Sequence, residues 1–195
     1  MRFINNYLNN LQNVINNFDI KSINSLVKNL KILKKNKGRL FIIGVGGSAG
    51  NASHAVNDFR KICEIECYAP TDNVSELTAR TNDQGWENTL HPYLRVSKLT
   101  HKDAILIFSV GGGSKKKNIS TNIVKAIDYA KRKKAKVLAV VGKSDGYAAN
   151  KADSCFVLPK VNKKLFLTPF AETIQPLIWH LLVTHPDLQK NKTTW

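Results

Sequence analysis

Two ionisable residues, His54 and Asp58, lie four positions apart in a segment that follows an apolar run and a glycine-rich turn. On a helix, positions i and i+4 share one face, so the imidazole and the carboxylate could share a metal ion or a substrate hydroxyl. Both groups transfer protons and bind divalent cations in proteins. The spacing therefore predicts a site for proton transfer or metal binding on this helix.

A second pair, Glu172 and His180, lies in a long apolar segment further along the chain. The two residues are eight positions apart, and on a helix this spacing is about two turns or roughly 12 Å along the axis. They could bracket a site only through the reach of their side chains, so this pair is the weaker signal. Trp179 is most simply a core residue. A hydrogen-bonded structural role is the alternative for any single helical histidine, and we assign it to His91, His101 and His185.

Two loops rich in glycine and serine follow apolar runs, GVGGS at 44–48 and SVGGGS at 109–114. At the start of a helix, the first backbone N–H groups lack partners inside the helix, and the helix dipole places partial positive charge there. A phosphate placed against Gly46, Gly47 and Ser48 would therefore be stabilised without a lysine. A tight turn with an N-cap serine is the alternative interpretation. The repetition of the pattern favours a phosphorylated small molecule as ligand.

Neither loop matches the common nucleotide-binding motifs. A Walker A sequence ends in Gly-Lys-Ser/Thr, whereas here Ser114 precedes Lys115, which argues against a nucleoside triphosphatase. The first loop has Gly44 and Gly46 in the positions of the dinucleotide fingerprint but Ala49 at the third glycine. That partial match leaves the second loop unexplained. We therefore expect no nucleotide cofactor.

Apolar runs alternate with helical patterns along the chain. Strands are predicted at 39–45, 67–69, 104–109, 136–141 and 154–158. Helices are predicted at about 48–61, 72–79, 86–98, 119–132, 147–151 and 169–184, after two N-terminal helices that end before Gly38. Apolar strands separated by helices indicate a parallel sheet covered on both faces. We predict an α/β fold, a three-layer α/β/α sandwich with a mostly parallel sheet and ligands beyond the carboxyl ends of its strands.

The N-terminal helices carry an apolar stripe that the predicted core leaves uncovered. In the first helix the stripe consists of Phe3, Tyr7, Leu11 and Val14. Since an uncovered apolar stripe is usually an interface, we expect residues 1–37 to form an oligomerisation arm that is buried between subunits. Residues 38–195 would form the α/β core, and the 195 residues together a single domain.

Composition sets further limits. A chain of 195 residues with 43% hydrophobic residues can bury an ordinary core, so no second domain is needed. No apolar run approaches the roughly 18 residues that span a membrane, and the first residues are amphipathic rather than signal-like. The three cysteines, Cys63, Cys67 and Cys155, form no CxxC pair and suit a reducing compartment. We expect a cytoplasmic protein without a membrane partner and without a cysteine zinc site.

The formal net charge of +16 raises the question of nucleic acid. Lysine-rich runs at 34–37, 115–117 and 131–134 lie at or beside predicted helix ends, where solvated cations are common. No helix-turn-helix pattern and no aromatic β-surface accompanies them, so nucleic-acid binding is disfavoured. The run 115–117 follows a predicted phosphate loop and could steer an anionic substrate.

Four segments together resemble a known family. They are GVGGSAGNASH, TDNVSELTARTNDQGWE, FSVGGGS and the helix that carries Glu172 and His180. The set resembles the sugar isomerase (SIS) domain, and within it the phosphoheptose isomerases, over about residues 40–185. The resemblance implies a cytoplasmic homotetramer, or a dimer, that converts sedoheptulose 7-phosphate to D-glycero-D-manno-heptose 7-phosphate, with zinc as the expected divalent metal.

The resemblance also assigns residues to substrate binding, with several departures. The family's Asn-Gly-Gly turn falls on Val45, Gly46 and Gly47, followed by Ser48, so the asparagine side chain is missing here while the backbone cradle is kept. Its Asn-Asp pair is matched by Asn82 and Asp83, and its Ser-Thr-Ser phosphate loop falls on Ser109, Val110 and Gly111, with a further serine at Ser114. Since two side-chain donors of the phosphate loop are lost, phosphate affinity would depend more on backbone N–H groups.

The catalytic positions depart from the family as well. His54 and His180 match the family's histidines, whereas Asp58 replaces a glutamate and Glu172 a glutamine. Aldose–ketose interconversion needs a base that moves a proton between adjacent carbons and an acid that serves the oxygens. We hypothesise that Asp58 or Glu172 takes the carbon-bound proton and that His180 serves oxygen.

The shorter side chain of Asp58 bears on this choice. A displacement of about 1 Å can cost on the order of a hundredfold in rate, so Glu172 could be the actual base. His54, Asp58, Glu172 and His180 together also offer two imidazoles and two carboxylates, a ligand set that suits zinc. Such an ion could polarise the carbonyl and stabilise enediolate charge.

Two other classes stay open. One is a non-catalytic SIS protein that binds a phosphosugar or a protein partner, such as the initiator-associating regulatory proteins of similar sequence. The other is a different phosphosugar isomerase or an amino-sugar-phosphate lyase. The presence of ionisable residues at all four catalytic positions favours an enzyme.

Overall fold

The structure is a computed structural model that describes residues 1–192. Its helices are α1 (Arg2–Asn16), α2 (Ile20–Lys35), α3 (Gly47–Cys63), α4 (Val74–Gln84), α5 (Leu90–Val96), α6 (Thr121–Arg132), α7 (Tyr147–Lys151) and α8 (Leu167–Thr184). Its strands are β1 (Leu40–Ile43), β2 (Cys67–Tyr68), β3 (Ala104–Ser109), β4 (Lys136–Val141) and β5 (Ser154–Val157). Short 3₁₀ turns lie at Trp86–Asn88 and Lys164–Phe166.

The five strands within residues 1–192 form one parallel sheet in the order β2-β1-β3-β4-β5. At its centre, Leu40 of β1 pairs with Ala104 of β3, and Ala104 pairs with Lys136 of β4. Every residue of β1 and β3 is buried. A strand that is buried on both faces must be apolar throughout, and this requirement explains why these strands could be recognised from the sequence.

Alternate side chains of the sheet enter two separate cores. Leu40 and Ile42 pack with residues of α2, α3 and α8 on one face. Phe41 and Ile43 pack with residues of α5, α6 and α7 on the other. Because side chains alternate along a strand, one apolar run fills both cores. The three layers confirm the predicted α/β/α sandwich.

The strand order changes direction between β1 and β3. After β1 the chain passes through α3 on one face of the sheet, whereas after β3 it passes through α6 on the opposite face. The connections therefore diverge and leave a crevice beyond the carboxyl ends of these two strands, which is where ligands bind in open α/β sheets. The two glycine-rich loops, 44–47 and 110–114, leave the sheet at this edge.

The predicted helix over 86–98 is divided in two. Trp86–Asn88 forms a 3₁₀ turn and α5 begins at Leu90. Pro92 lies in the first turn of α5, where its missing N–H would have no partner in any case. The hydroxyl of Thr89 donates to the carbonyl of Trp86 and closes the preceding turn. Proline therefore marks a helix start here that periodicity alone did not reveal.

The N-terminal stripe is covered differently from the prediction. Val14 is buried, and the ring of Tyr7 packs edge-on against Phe166 and Phe170 of the same chain. Leu11 also packs against this core. The expectation that the core leaves this stripe uncovered was therefore wrong for most of its length. The large apolar side chains that stay exposed on α1 are Phe3, Ile4, Leu8 and Ile15.

None of the helices within residues 1–192 combines the length and the apolar character that spanning a bilayer requires.

Candidate active site

The cluster of possible ligands is built by two neighbouring helices, α3 and α8. His54 and Asp58 project from α3, and His180 projects from α8. The Nε2 atom of His54 lies 3.6 Å from Oδ2 of Asp58, and Nε2 of His180 lies 3.3 Å from the same oxygen. One ligand atom from each residue falls within 4.8 Å of the other two. Two imidazole nitrogens and a carboxylate oxygen at this spacing form a donor set that suits zinc.

The carboxylate at the centre of this cluster is held more firmly than the imidazoles. The side chains of His54 and His180 are more than half exposed, whereas Asp58 is buried. The Nδ2 group of Asn57 donates to Oδ1 of Asp58, and Nε1 of Trp179 donates to Oδ2. The imidazoles are therefore accessible to a ligand, and the carboxylate between them is fixed.

Glu172, the fourth predicted member, lies elsewhere. A Cβ atom built on Gly47 would lie 2.6 Å from the carboxylate carbon and both oxygens of Glu172. The carboxylate therefore lies directly against the first residue of α3, and the structure brings together three of the four residues predicted to bind metal. The free N–H groups and the dipole at a helix start favour a negative charge there. A carboxylate of the same chain therefore lies beside the position at which a phosphate was expected.

A proline helps to explain why Glu172 is held there. Pro176 lies inside α8, and its missing N–H leaves the carbonyl of Glu172, four residues earlier, without its helical partner. The Nδ2 group of Asn51 on α3 donates to that carbonyl at 2.9 Å and also to Oε1 of Gln175 at 2.8 Å. Gln175 in turn donates to Oγ of Ser48. This partly buried network joins the first turns of α3 to the middle of α8.

Hydrogen bonds to the backbone of the second glycine loop, at 110–114, hold it in a defined shape. The hydroxyl of Ser109 accepts a hydrogen bond from the backbone N–H of Gly112. The carbonyls of Gly112 and Gly113 accept from the first N–H groups of α7, those of Ala148 and Tyr147. Both glycines have positive φ angles, 71° and 78°, which other residues adopt only at a cost. The loop thus keeps a defined shape in which the backbone at Val110 and Gly111 is half-buried.

Ser114 does not lie at a helix start, contrary to the expected pattern of loop and helix. It pairs with Ile119 in a small antiparallel bridge, and its hydroxyl accepts from the N–H of Lys117. Helix α6 begins only at Thr121, after Ser120. The sequence prediction of a helix from about 119 was right to within two residues, but it did not single out Ser120, Thr121 and Asn122 as candidate site residues. The letters Ser-Thr-Asn before an apolar helical pattern were the available signal.

Lys115 is engaged by its own chain. Its ammonium group lies 2.8 Å from Oδ2 of Asp128 and 4.9 Å from the ring centre of Tyr147, whose hydroxyl donates to the same carboxylate. Burial alone would raise the pKa of Asp128, but the hydrogen bonds from Lys115 and Tyr147 outweigh it and lower that pKa. Of the three lysines predicted to steer a substrate, Lys116 and Lys117 are left exposed without an acidic partner among the described residues.

The predicted pair Asn82 and Asp83 lies on the exposed last turn of α4, and the amide of Asn82 donates to the carboxylate of Asp83. Helix α4 itself, whose residues are all at least partly exposed, is capped by the side chain of Asn73. A cavity of about 400 Å³ separates α4 from α3. Its lining consists of Val45, Gly46, Ala49, Gly50, Ser53, Thr71, Asp72, Leu77 and Trp86.

The three cysteines are at least partly buried. Cys63, Cys67 and Cys155 are free thiols, and burial raises the pKa of Cys63 and of Cys155 to about 11. Burial raises the pKa of Cys67 as well. A metal binds the thiolate rather than the thiol, so the raised pKa values disfavour a metal role for these side chains.

The structure is an α/β domain with a cluster of possible metal ligands, and comparison with known proteins identifies the family. Residues 2–142 match the SIS domain, and the chain belongs to that family. It is 30% identical over 167 residues to phosphoheptose isomerase 2 of Campylobacter jejuni, covering 81% of this chain and 77% of that protein. It is also 30% identical over 155 residues to the lincomycin biosynthesis protein LmbN of Streptomyces lincolnensis, but the match spans about half of that protein, 54%, and 74% of this chain.

Solved structures agree on the fold. Phosphoheptose isomerase GmhA from Neisseria gonorrhoeae superimposes with a TM-score of 0.79 at 20% identity, covering 93% of each chain. A phosphoheptose isomerase from Francisella tularensis gives a TM-score of 0.78 at 21% identity, covering 93% of this chain and 92% of the other. The SIS resemblance noted from sequence motifs is thus confirmed.

Proposed function

We propose that this chain is a phosphosugar isomerase that converts sedoheptulose 7-phosphate into D-glycero-D-manno-heptose 7-phosphate. The observation that carries the proposal is the convergence of His54, Asp58 and His180 on α3 and α8, with α3 beginning at the first glycine loop. His54 follows Gly47 by seven residues on one helix, which is about 10 Å at 1.5 Å per residue. Relatives named phosphoheptose isomerase support the choice of reaction.

Glu172 is the proposed carbon base and His180 the proposed acid for oxygen. Both oxygens of Asp58 already accept hydrogen bonds from Asn57 and Trp179, whereas Glu172 lies at the crevice edge against Gly47. Glu172 would take a proton from C1 of the ketose while His180 protonates the C2 oxygen, giving an enediol. Return of the carbon proton to C2, with loss of the O1 proton, gives the aldose, so the reaction is balanced without an oxidant.

As the alternative to acid catalysis by His180, the residues His54, Asp58 and His180 would hold a divalent metal, with zinc the best match to the donor set, because a ring nitrogen bound to a metal has no proton to donate. When bound, such an ion polarises a carbonyl oxygen and stabilises enediolate charge. Three protein donors leave coordination positions open, as catalytic zinc sites require. Glu172 lies outside this group and stays available as a base.

The second loop is the proposed phosphate site. Glu172 lies beside the start of α3 and would repel a phosphate there, so we place the phosphate at Ser109, the backbone of Val110 and Gly111, and the start of α6 at Ser120. Backbone N–H groups and the α6 dipole would supply most of the attraction. We further propose that residues 1–195 act as one SIS domain, and that Ile4, Leu8 and Ile15 contribute to contacts in a homotetramer.

Substrate screening tests the proposal most directly. Sugar phosphates are ranked by thermal shift, and each one that binds is followed by NMR for C1–C2 isomerisation, starting with sedoheptulose 7-phosphate. The parent protein should isomerise it, and His180→Gln should lower turnover by about a hundredfold or more while binding is kept. Turnover of another phosphosugar alone would correct the substrate. Binding without turnover of any would favour the non-catalytic SIS class.

A further inference from the structure

Trp179 contacts all three residues of the ligand cluster. Its Nε1 group donates to Oδ2 of Asp58 at 2.9 Å, and this is the oxygen that faces both imidazoles. Its ring centre lies 5.4 Å from that of His54 and 5.0 Å from that of His180, tilted by 66° and 62°. A residue that would otherwise be core filling thus contacts every member of the site.

The surroundings of the indole leave it little freedom. Trp179 is 1% exposed and Asp58 is 8% exposed, so the hydrogen bond between them is shielded from competing water. A hydrogen bond to an ionised acceptor in such surroundings is among the stronger ones in proteins. The opposite face of the indole stacks on Phe108 of β3, with ring centres 5.7 Å apart and planes 25° apart. The sheet therefore supports the ring from behind and directs its N–H at Asp58.

We infer that Trp179 is a positioning residue that orients the Asp58 carboxylate toward His54 and His180, an inference that rests on the proposed function. An indole N–H can only donate, so it fixes which oxygen of Asp58 is presented as an acceptor. Asn57 fixes the other oxygen. Asp58 carries one methylene less than a glutamate, and the indole holds this shorter side chain in one orientation. Partners that orient metal ligands in this way commonly set metal affinity.

Removal of the donor with retention of an aromatic ring gives the first test. Trp179→Phe should lower zinc affinity by about tenfold to a hundredfold, measured by competition with a chromogenic chelator, and should alter the visible spectrum of bound cobalt(II). Phe156→Leu is the matched control, since Phe156 is a fully buried aromatic residue of the same apolar core that packs on Phe18. This control should lose stability and keep zinc affinity.

A second measurement needs neither metal nor activity. The indole N–H signal of Trp179 is observed by ¹H–¹⁵N NMR of the full chain and assigned by elimination, with phenylalanine at each of the other two tryptophans. Asp58→Ala should shift this signal and speed its exchange with solvent. In a double-mutant cycle, the effects of Asp58→Ala and Trp179→Phe on zinc affinity should be strongly non-additive, because one acts through the other.

The outcomes separate the two proposals. A parent protein that neither binds zinc nor isomerises a phosphosugar would overturn the proposed function, and the positioning role would fall with it. A parent that binds zinc, together with Trp179→Phe of equal affinity, would overturn the positioning role alone. An indole signal that is unchanged in Asp58→Ala would also overturn it, even if Trp179→Phe failed to fold.

Discussion

The two glycine loops have similar composition but different surroundings. The first, at 44–47, leads directly into α3, and the carboxylate of Glu172 lies against Gly47. The second, at 110–114, leads into a small bridge, and α6 begins only at Thr121. A strand, a glycine turn and a helix start therefore predict an anion but do not reveal its source. In the first loop the anion belongs to the chain, and we propose that in the second it belongs to the ligand.

Glu172 is the carboxylate beside the first loop and also the proposed carbon base. Its removal should therefore have the largest effect on turnover. Glu172→Gln keeps the size of the side chain and removes the base, so turnover should fall by about a hundredfold to ten thousandfold. The measurement is solvent-deuterium incorporation at the substrate carbon, followed by NMR. Asp58→Asn is the paired variant and should lose zinc affinity first. Exchange that persists in Glu172→Gln and stops in Asp58→Asn would instead make Asp58 the base.

The space around Gly47 offers the next test. Gly47→Ala places a methyl group 2.6 Å from the Glu172 carboxylate, so that carboxylate must move. Turnover should fall by roughly a hundredfold, whereas affinity for a sugar phosphate, measured by calorimetry, should stay near the parent value. Gly50→Ala adds the same methyl group one turn along α3 into open space, as far as residues 1–192 define it. It should raise stability by about 0.5–1 kcal/mol. A large loss of phosphate affinity in Gly47→Ala would place the phosphate at the first loop.

At the opposite edge of the sheet, where β1 and β3 begin, a partly buried ion pair that we call the clamp joins the residues before the two strands. Arg39, which precedes β1, and Thr100 donate several hydrogen bonds to the buried carboxylate of Asp103, which precedes β3. Burial alone would raise the pKa of Asp103, but these bonds outweigh it and lower that pKa. The stabilisation is therefore present above the unfolded pKa of about 3.9 and is lost as the pH falls through the lower folded value.

Asp103→Asn tests this clamp. The variant should lower the free energy of unfolding by about 1.5–3 kcal/mol at pH 7, the usual worth of hydrogen bonds to a charged group. Urea unfolding at pH 7 and at pH 3 should show the two proteins converging at the lower pH. Equal stability at pH 7 would contradict the assignment.

The smallest effect is expected at the second loop. Gly111 can accept a side chain without steric conflict among the described residues, so Gly111→Asp should fold normally. Repulsion between like charges about 4 Å apart is roughly 1–4 kcal/mol near a protein surface, and the KM for the phosphosugar should rise about tenfold or more. Gly111→Asn, similar in shape and uncharged, is the control. An unchanged KM in Gly111→Asp would remove the phosphate from this loop.

The parts of the molecule that the sequence could predict are those governed by local pattern. Strands β3 and β4 begin and end where the apolar runs do, at 104–109 and 136–141, because burial on both faces demands apolar residues throughout. The juxtaposition of His54 and Asp58 follows from helix periodicity alone. Convergence with His180 was available only from the family resemblance, since no local rule relates residues on separate helices.

The parts that could not be predicted depend on contacts between distant segments. The sequence near the first helix shows no packing partner for Tyr7 and Leu11. In the structure they pack against a core that includes Phe166 and Phe170, more than 150 positions away. The position of Glu172 depends on Asn51, 121 residues earlier. Between the second loop and α6, Ser114 pairs with Ile119 in an antiparallel bridge. The run of lysines between these two residues gives no signal for such a bridge.

Pro176 gives the pair of helices a fixed register. Because Asn51 of α3 binds the carbonyl that Pro176 leaves free, α8 cannot slide along α3 without leaving a polar group unpaired. A slip of one helical turn, about 5.4 Å, would break this bond and the one to Gln175 together. Because Glu172 and His180 both lie on α8, they keep fixed positions relative to α3. Pro176→Ala would supply the missing N–H, so the carbonyl of Glu172 would bond within α8 again and the register would no longer depend on Asn51.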